Sequence, residues 1–188
     1  MKEAIQTLIT SDKMAHAFEY LKQDEAHTID QQIELVQISS FSPFEEKRAI
    51  RFKELLTEAG LDPVMDEVHN VYAHIHGTGN GPTLYVSAHL DTVFPPETPL
   101  PVKREGTKIY APGIGDDTRG LAEILTLARA IKESGLKPVG DIIIGGNVGE
   151  EGLGDLRGMR HFFSQNTDKV DGFISVDGAG LSLIHISE

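Results

Sequence analysis

Acidic side chains and one histidine occur along this chain in four short groups, each directly after an apolar run or a glycine-rich turn. In chain order the groups are His89-Leu90-Asp91, Asp116-Asp117, Glu150-Glu151 and Asp177. Carboxylates and an imidazole at separate strand ends are what a hydrolase needs to hold a pair of divalent cations. Each group alone has a plainer interpretation, because short motifs often occur by chance. The prediction of a metal site therefore rests on the ordered set.

The first two groups each leave an alternative open. His89 and Asp91 point the same way in an extended chain, so one could ligate a metal while the other holds the ring from behind. They could equally be a polar cap on a buried strand. Asp116 could bridge two cations, since an anion between them offsets their repulsion. Asp116 and Asp117 could also be cap and first-turn acids of the helix that follows.

The last two groups follow apolar segments that read as strands, and the strand before Glu150-Glu151 looks buried. Neighbouring glutamates repel each other unless a cation lies near them, so Glu150-Glu151 favours a functional interpretation over a solvated pair of loop acids. We predict that Glu151 ligates a metal, whereas Glu150 stays off it and moves a proton from water to the leaving amine. Asp177 alone would be a turn residue, and it gains meaning from the other groups.

The elements that must position these groups follow from hydrophobic periodicity. Helices are predicted at 4–21, 33–38, 118–133 and 156–163, with Thr28 or Asp30 capping the second and with Ser42-Pro43-Phe44-Glu45 starting another. Strands are predicted at 71–76, 83–88, 103–110, 141–147 and 172–176. This alternation predicts an α/β fold: a three-layer sandwich, truncated, with a mostly parallel mixed sheet and helices on both faces. All four groups fall at carboxyl ends of strands, where such sheets carry their chemistry.

Composition narrows the class of protein further. The chain has 188 residues and a formal net charge of −12, which argues against nucleic acid and anionic membrane surfaces as partners. Without cysteine there is no thiolate metal site and no cysteine nucleophile. The first thirty residues are charged throughout and fit neither a signal peptide nor a spanning helix, so we expect a cytoplasmic protein.

Taken together and in order, these motifs resemble those of the M20 family of dinuclear zinc peptidases and amidohydrolases, over about residues 39–180. The Asp-Asp and Gly-Glu-Glu-Gly groups look most like the peptidase members, such as peptidase T. The resemblance implies two Zn²⁺ ions, for which Co²⁺ or Mn²⁺ could substitute. It also implies a cis peptide between Asp116 and Asp117, with Asp91 orienting a ligand and Glu150 as general base. The implied metal ligands are His89 and Asp177 on the first zinc, Glu151 on the second, and Asp116 between them.

The same resemblance implies parts that lie downstream of residue 188. These are a histidine ligand for the second zinc and a lid and dimerisation domain, through which the full-length protein could be a homodimer. Residues 1–180 would then be the N-terminal segment of the catalytic domain, incomplete and inactive as it stands. Residues 181–188 can be encoded by the reverse complement of a common transposase-based sequencing adapter, so we predict a non-native tail.

The resulting functional prediction is a zinc-dependent hydrolase of amide bonds in small peptides. One alternative has the same chemistry and a different substrate, namely an N-acyl amino acid deacylase. The other is a non-catalytic metal-binding module derived from such an enzyme, although a binding module has no use for an unligated base such as Glu150.

Overall fold

The structure, a computed structural model, describes residues 2–178, so the predicted tail at 181–188 lies outside the described residues. The helices are α1 (Lys2–Ile9), α2 (Asp12–Gln23), α3 (Glu25–Val36), α4 (Glu46–Glu58), α5 (Thr118–Ser134) and α6 (Arg157–Asn166). The strands are β1 (Val64–Met65), β2 (Val71–Ile75), β3 (Leu84–His89), β4 (Lys103–Glu105), β5 (Lys108–Tyr110), β6 (Ile142–Asn147) and β7 (Gly172–Ser175). Along residues 2–178, none of the helices combines the length and apolar character that crossing a membrane requires.

Five strands form one mixed sheet in the order β1-β2-β6-β3-β7, and β4 and β5 form a separate hairpin. The three strands that precede acidic groups, β6, β3 and β7, run parallel to one another. The first two strands are antiparallel to their neighbours. The predicted α/β fold with a mixed sheet is confirmed.

Helices cover both faces of this sheet. Successive residues of β3 point to opposite faces, so their contacts show which helices lie on each side. Val86 and Ala88 lie in the main core with apolar residues of α3, α4 and α5. Tyr85 points the other way and packs with Ile143 and with Phe162 of α6. The sheet is therefore the middle of three layers.

Parallel pairing brings the strand ends together at one edge. His89 is in register with Asn147, the last residue of β6, and Ser87 is in register with Ser175, the last residue of β7. Residues that follow these three strands must therefore emerge side by side.

Several predicted boundaries were wrong for local reasons. The segment 4–21 is two helices, because Ser11 donates to the Leu8 carbonyl and accepts from the Met14 amide, which starts α2. Thr28 and Asp30 lie inside α3 and cap nothing. The segment 103–110 is a hairpin that turns at Gly106.

The predicted helix start at Ser42 was also wrong. The Ser42-Pro43 peptide bond is cis, and α4 begins only at Glu46. The Ser42 hydroxyl accepts a hydrogen bond from Arg157 and does not cap the helix.

Candidate active site

His89 is the last residue of β3 and is 2% exposed. Its Nδ1 lies 3.1 Å from the backbone oxygen of Asp91, and its Nε2 lies 2.8 Å from Asp116 Oδ1 and 3.8 Å from Asp177 Oδ1. A ligating histidine usually anchors one ring nitrogen on a carbonyl or carboxylate and presents the other to the metal. The His89 ring has this arrangement, with Nε2 facing the carboxylates.

Asp91 lies beneath the site and is completely buried. Its Oδ1 accepts the Glu150 amide at 3.0 Å, and its Oδ2 accepts the Glu151 amide at 2.8 Å. The carboxylate is 3.6 Å from His89 Nδ1. Burial disfavours the charge, but His89 and the two amides outweigh it and lower the pKa of Asp91. Asp91 thus joins the ends of β3 and β6, beyond the ring-orienting role predicted for it.

Asp116 and Asp117 have separate roles. Asp117 is buried and caps α5: its Oδ1 accepts the Gly120 amide and its Oδ2 accepts the His89 amide, both at 3.0 Å. Burial raises its pKa to about 7. The Asp116 side chain is 58% exposed and points to His89. The predicted cis peptide between them is confirmed. The capping interpretation is thus confirmed for Asp117, and the bridging role of Asp116 stays a prediction.

Glu150 and Glu151 lie in a turn after β6 that is bounded by Gly149 and Gly152, both at positive φ. Both side chains are partly buried. Desolvation raises the pKa of each glutamate, and the neighbouring carboxylates add to this effect while His89 opposes it. A raised pKa suits a carboxylate that must accept and return a proton.

Ligand atoms of the predicted residues converge in two groups within the described part of the chain. In each group the atoms lie within 4.8 Å of one another: His89 with Asp116 and Asp177, and His89 with Glu150 and Glu151. The first group equals the ligand set predicted for the first zinc. His89 also belongs to the second group. Asp116 and Glu151 fall in different groups, and Glu150 is near enough to ligate, so its role needs a test.

The charge at this edge suits a cation. Burial alone would lower the pKa of His89, but hydrogen bonds to Asp116 and Asp91 and the charge of Asp117 raise it to about 11. The surplus of carboxylates that holds a proton on this ring would favour a divalent cation in its place. The donor set of one imidazole and several carboxylates fits zinc.

Several residues that support the site were not found from the sequence. Ser40 Oγ and Arg48 Nη1 donate hydrogen bonds, at 2.7 Å and 2.9 Å, to the carbonyl of Leu90, which lies between His89 and Asp91. These donors come from 50 and 42 residues earlier in the chain, so no local motif indicates them.

The loop before Asp116 is held in the same way. Gln32 of α3 donates to the Ile114 carbonyl at 2.5 Å, and the Thr118 hydroxyl donates to the Gly113 carbonyl at 3.0 Å. Gln32 is buried although glutamine is usually a surface residue, and only the structure explains why. The loop is thus held at residues 113–114 by side chains of α3 and α5.

We expect Asp91→Asn to weaken zinc binding by about 10- to 100-fold, the range typical of residues that hold ligands in place. The amide nitrogen would turn a donor toward the backbone N–H of Glu150 or Glu151, and the turn would shift. Competition with a chromophoric chelator measures the affinity. Asp141→Asn, on a carboxylate that accepts the Gly77 amide next to the opposite end of β6, is the matched control. Equal affinity in Asp91→Asn and wild type would contradict the role of Asp91.

Comparison with known proteins agrees with this architecture. Carboxylates at the ends of parallel strands in a three-layer α/β fold define a candidate metallohydrolase class. The sequence model of peptidase family M28 matches residues 70–183, which is more than half of the chain and includes all four acidic groups. The chain therefore belongs to peptidase family M28. The M20 assignment stays a prediction.

The match to each individual relative covers only part of that relative's length. Carboxypeptidase G2 of Pseudomonas sp. is 38% identical over 84 residues, which are 44% of this chain and 20% of that protein. A putative [LysW]-lysine/[LysW]-ornithine hydrolase of Pyrobaculum aerophilum is 38% identical over 92 residues, 49% of this chain and 26% of that protein. The crystal structure of aminopeptidase PepT from Bacillus cereus superposes with a TM-score of 0.68 at 25% identity, covering 81% of this chain and 43% of that one. The chain thus spans less than half the length of each.

Proposed function

We propose that this chain carries most of the metal site of a zinc-dependent hydrolase of the M20 type, which cleaves amide bonds of small peptides. The observation that supports this most strongly is the convergence on His89 of ligand atoms from residues that follow the parallel strands and from Asp116, just before the α5 cap. Membership of a peptidase family and the similarity to aminopeptidase PepT support the reaction class.

The proposed division of the site keeps the roles predicted from the sequence, and its first set of ligands coincides with one of the two groups of ligand atoms. His89, Asp116 and Asp177 would hold one cation, and Glu151, with Asp116 bridging, would contribute to a second. When bound, such ions polarise the scissile carbonyl and lower the pKa of water toward neutrality. A further histidine ligand and a lid and dimerisation domain from downstream sequence belong to the same proposal.

Glu150 is the proposed general base. Its carboxylate takes a proton from the attacking water and returns it to the nitrogen of the leaving amine. The Glu150 amide is fixed on Asp91, so the backbone that carries this carboxylate is held at the edge of the cluster. The partly buried position raises its pKa, which makes the ionised carboxylate a better proton acceptor.

A second candidate, an N-acyl amino acid deacylase, has one observation in its favour. The Pyrobaculum aerophilum relative is described as a putative hydrolase of [LysW]-lysine and [LysW]-ornithine. The chemistry at the metal cluster would be the same, and the substrate would differ.

The full-length protein tests both candidates. We expect hydrolysis of unblocked di- and tripeptides, loss of that activity on treatment with a chelator, and recovery when Zn²⁺ is restored. Cleavage of N-acyl amino acids in preference to peptides would favour the second candidate. Tight zinc binding with no hydrolysis across both substrate sets would contradict the proposed enzyme and support a metal-binding module.

A further inference from the structure

The Arg157 side chain connects the start of α6 with the start of α4. Its Nη2 donates to Glu45 Oε2 at 2.5 Å, and its Nη1 donates to Ser42 Oγ at 3.0 Å. Glu45 is 0% exposed, and its Oε1 has no hydrogen-bond partner within the described residues. A buried carboxylate with one oxygen unpaired is a weak source of stability, so the pair calls for another explanation.

The same arginine lies directly against the turn that carries the two glutamates. Gly149 has φ +66°, and a β-carbon at this position would collide with Nη1 and Cγ of Arg157. The backbone next to Arg157 is tied to the same strand end, since the Gly158 amide donates to the Val148 carbonyl at 3.0 Å. Arg157 therefore packs on the residue that immediately precedes Glu150.

Asp91 holds the same turn by a different set of contacts. Its two carboxylate oxygens accept the amides of Glu150 and Glu151, whereas Arg157 contacts the backbone at Gly149. The turn is thus fixed by a carboxylate at the end of β3 and by a guanidinium that Glu45 holds in place.

We propose that Arg157, anchored by Glu45, is a positioning residue that keeps the 149–151 turn seated on Asp91. Without the arginine, the glycine at 149 would let the turn leave Asp91, because glycine restricts its backbone little. The consequence for metal binding rests on the function proposed above, but the consequence for the turn does not.

Amide hydrogen exchange, measured by NMR on the metal-free protein, tests the positioning directly. In Arg157→Met we expect the protection of the Glu150 and Glu151 amides to fall by about tenfold or more. The amides of Val86 and Ile144 in the sheet serve as the reference and should keep their protection. A purely structural role would lower the protection of all four amides together, which would overturn the proposal.

Arg160→Met is the matched control. Arg160 lies on the same helix and pairs with Asp155 in solvent, where the two side chains are 68% and 80% exposed. Removing such an exposed pair should leave the Glu150 and Glu151 amides as protected as in the wild type. Arg157→Lys keeps the charge but cannot donate to Ser42 and Glu45 through two separate nitrogens. The protection of the Glu150 and Glu151 amides in this variant should lie between that of the wild type and that of Arg157→Met.

Glu45→Gln keeps the test decisive if Arg157→Met does not fold. A neutral amide of the same size is easier to bury, so this variant should fold while holding Arg157 less firmly. We expect the same two amides to lose protection, to a smaller extent. Unchanged protection at both amides in folded Arg157→Met, or in Glu45→Gln where the first variant does not fold, would overturn the proposal.

Zinc affinity, measured on the same variants by chelator competition, provides a second readout. We expect it to weaken by about tenfold in Arg157→Met and to stay unchanged in Arg160→Met. If the wild type binds no zinc, the proposed metal site fails, and the exchange data still decide whether Arg157 positions the turn. If the wild type binds zinc and the exchange data show no difference between variants, only the positioning role fails.

Discussion

Glu150→Gln in the full-length protein should lower kcat for peptide hydrolysis by at least about 100-fold, the range attributed to a positioned general base. Glutamine has the same size and keeps the backbone amide on Asp91, so the turn should stay in place. It has no carboxylate to accept a proton from water. The zinc content should remain that of the wild type, and this second measurement carries as much weight as the rate.

The zinc content matters because Glu150 also lies within ligand distance of His89 and Glu151. If Glu150 is a ligand, the substitution lowers the zinc content along with the rate. If it is the base, only the rate falls, whereas Glu151→Gln loses zinc. Glu67→Gln, on a side chain that is 79% exposed, is the control and should match the wild type in both measurements. Full turnover in Glu150→Gln would remove this residue from the mechanism.

The gathering of three of the four acidic groups could be predicted because it depends on a rule of sheet architecture. The prediction that Asp116-Asp117 also ends a strand of this sheet was wrong, because that pair follows the separate β4–β5 hairpin and directly precedes α5. Residues after parallel strands emerge at the same edge, whatever the helices between them do. The alternation of strands and helices already indicated such a sheet, so the relation of His89, Glu150 and Asp177 followed without coordinates. The neighbouring pairing of β3 with both β6 and β7 then brought those groups within reach of each other.

The contacts that fix each group could not be predicted, because they join residues far apart in sequence. Gln32 reaches Ile114 across 82 residues, and Arg157 reaches Glu45 across 112. Helix-start rules failed at Ser42 for the same reason. They count the hydroxyl as free to cap a helix, whereas Arg157 already uses it.

His89→Ala should have the largest effect on metal binding, because His89 is the residue common to both groups of ligand atoms. Replacing Asp177 would remove a ligand from one group only. We expect zinc affinity in His89→Ala to fall by more than the roughly 10- to 100-fold typical of residues that merely support ligands. The cation assigned to His89, Asp116 and Asp177 should be lost in His89→Ala, and Asp177→Asn should weaken the binding of the same cation to a smaller extent.

A second histidine provides the control for this substitution. His76 also lies near a carboxylate, 3.3 Å from Asp141, but its side chain is 80% exposed and outside the cluster. His76→Ala should bind zinc as the wild type does, and its titration separates loss of a ligand from loss of any surface imidazole. If His89→Ala retained wild-type zinc affinity, the ligand atoms at this sheet edge would not be the metal site. The proposed function would then lose its basis, because the other carboxylates of the cluster are grouped only through His89.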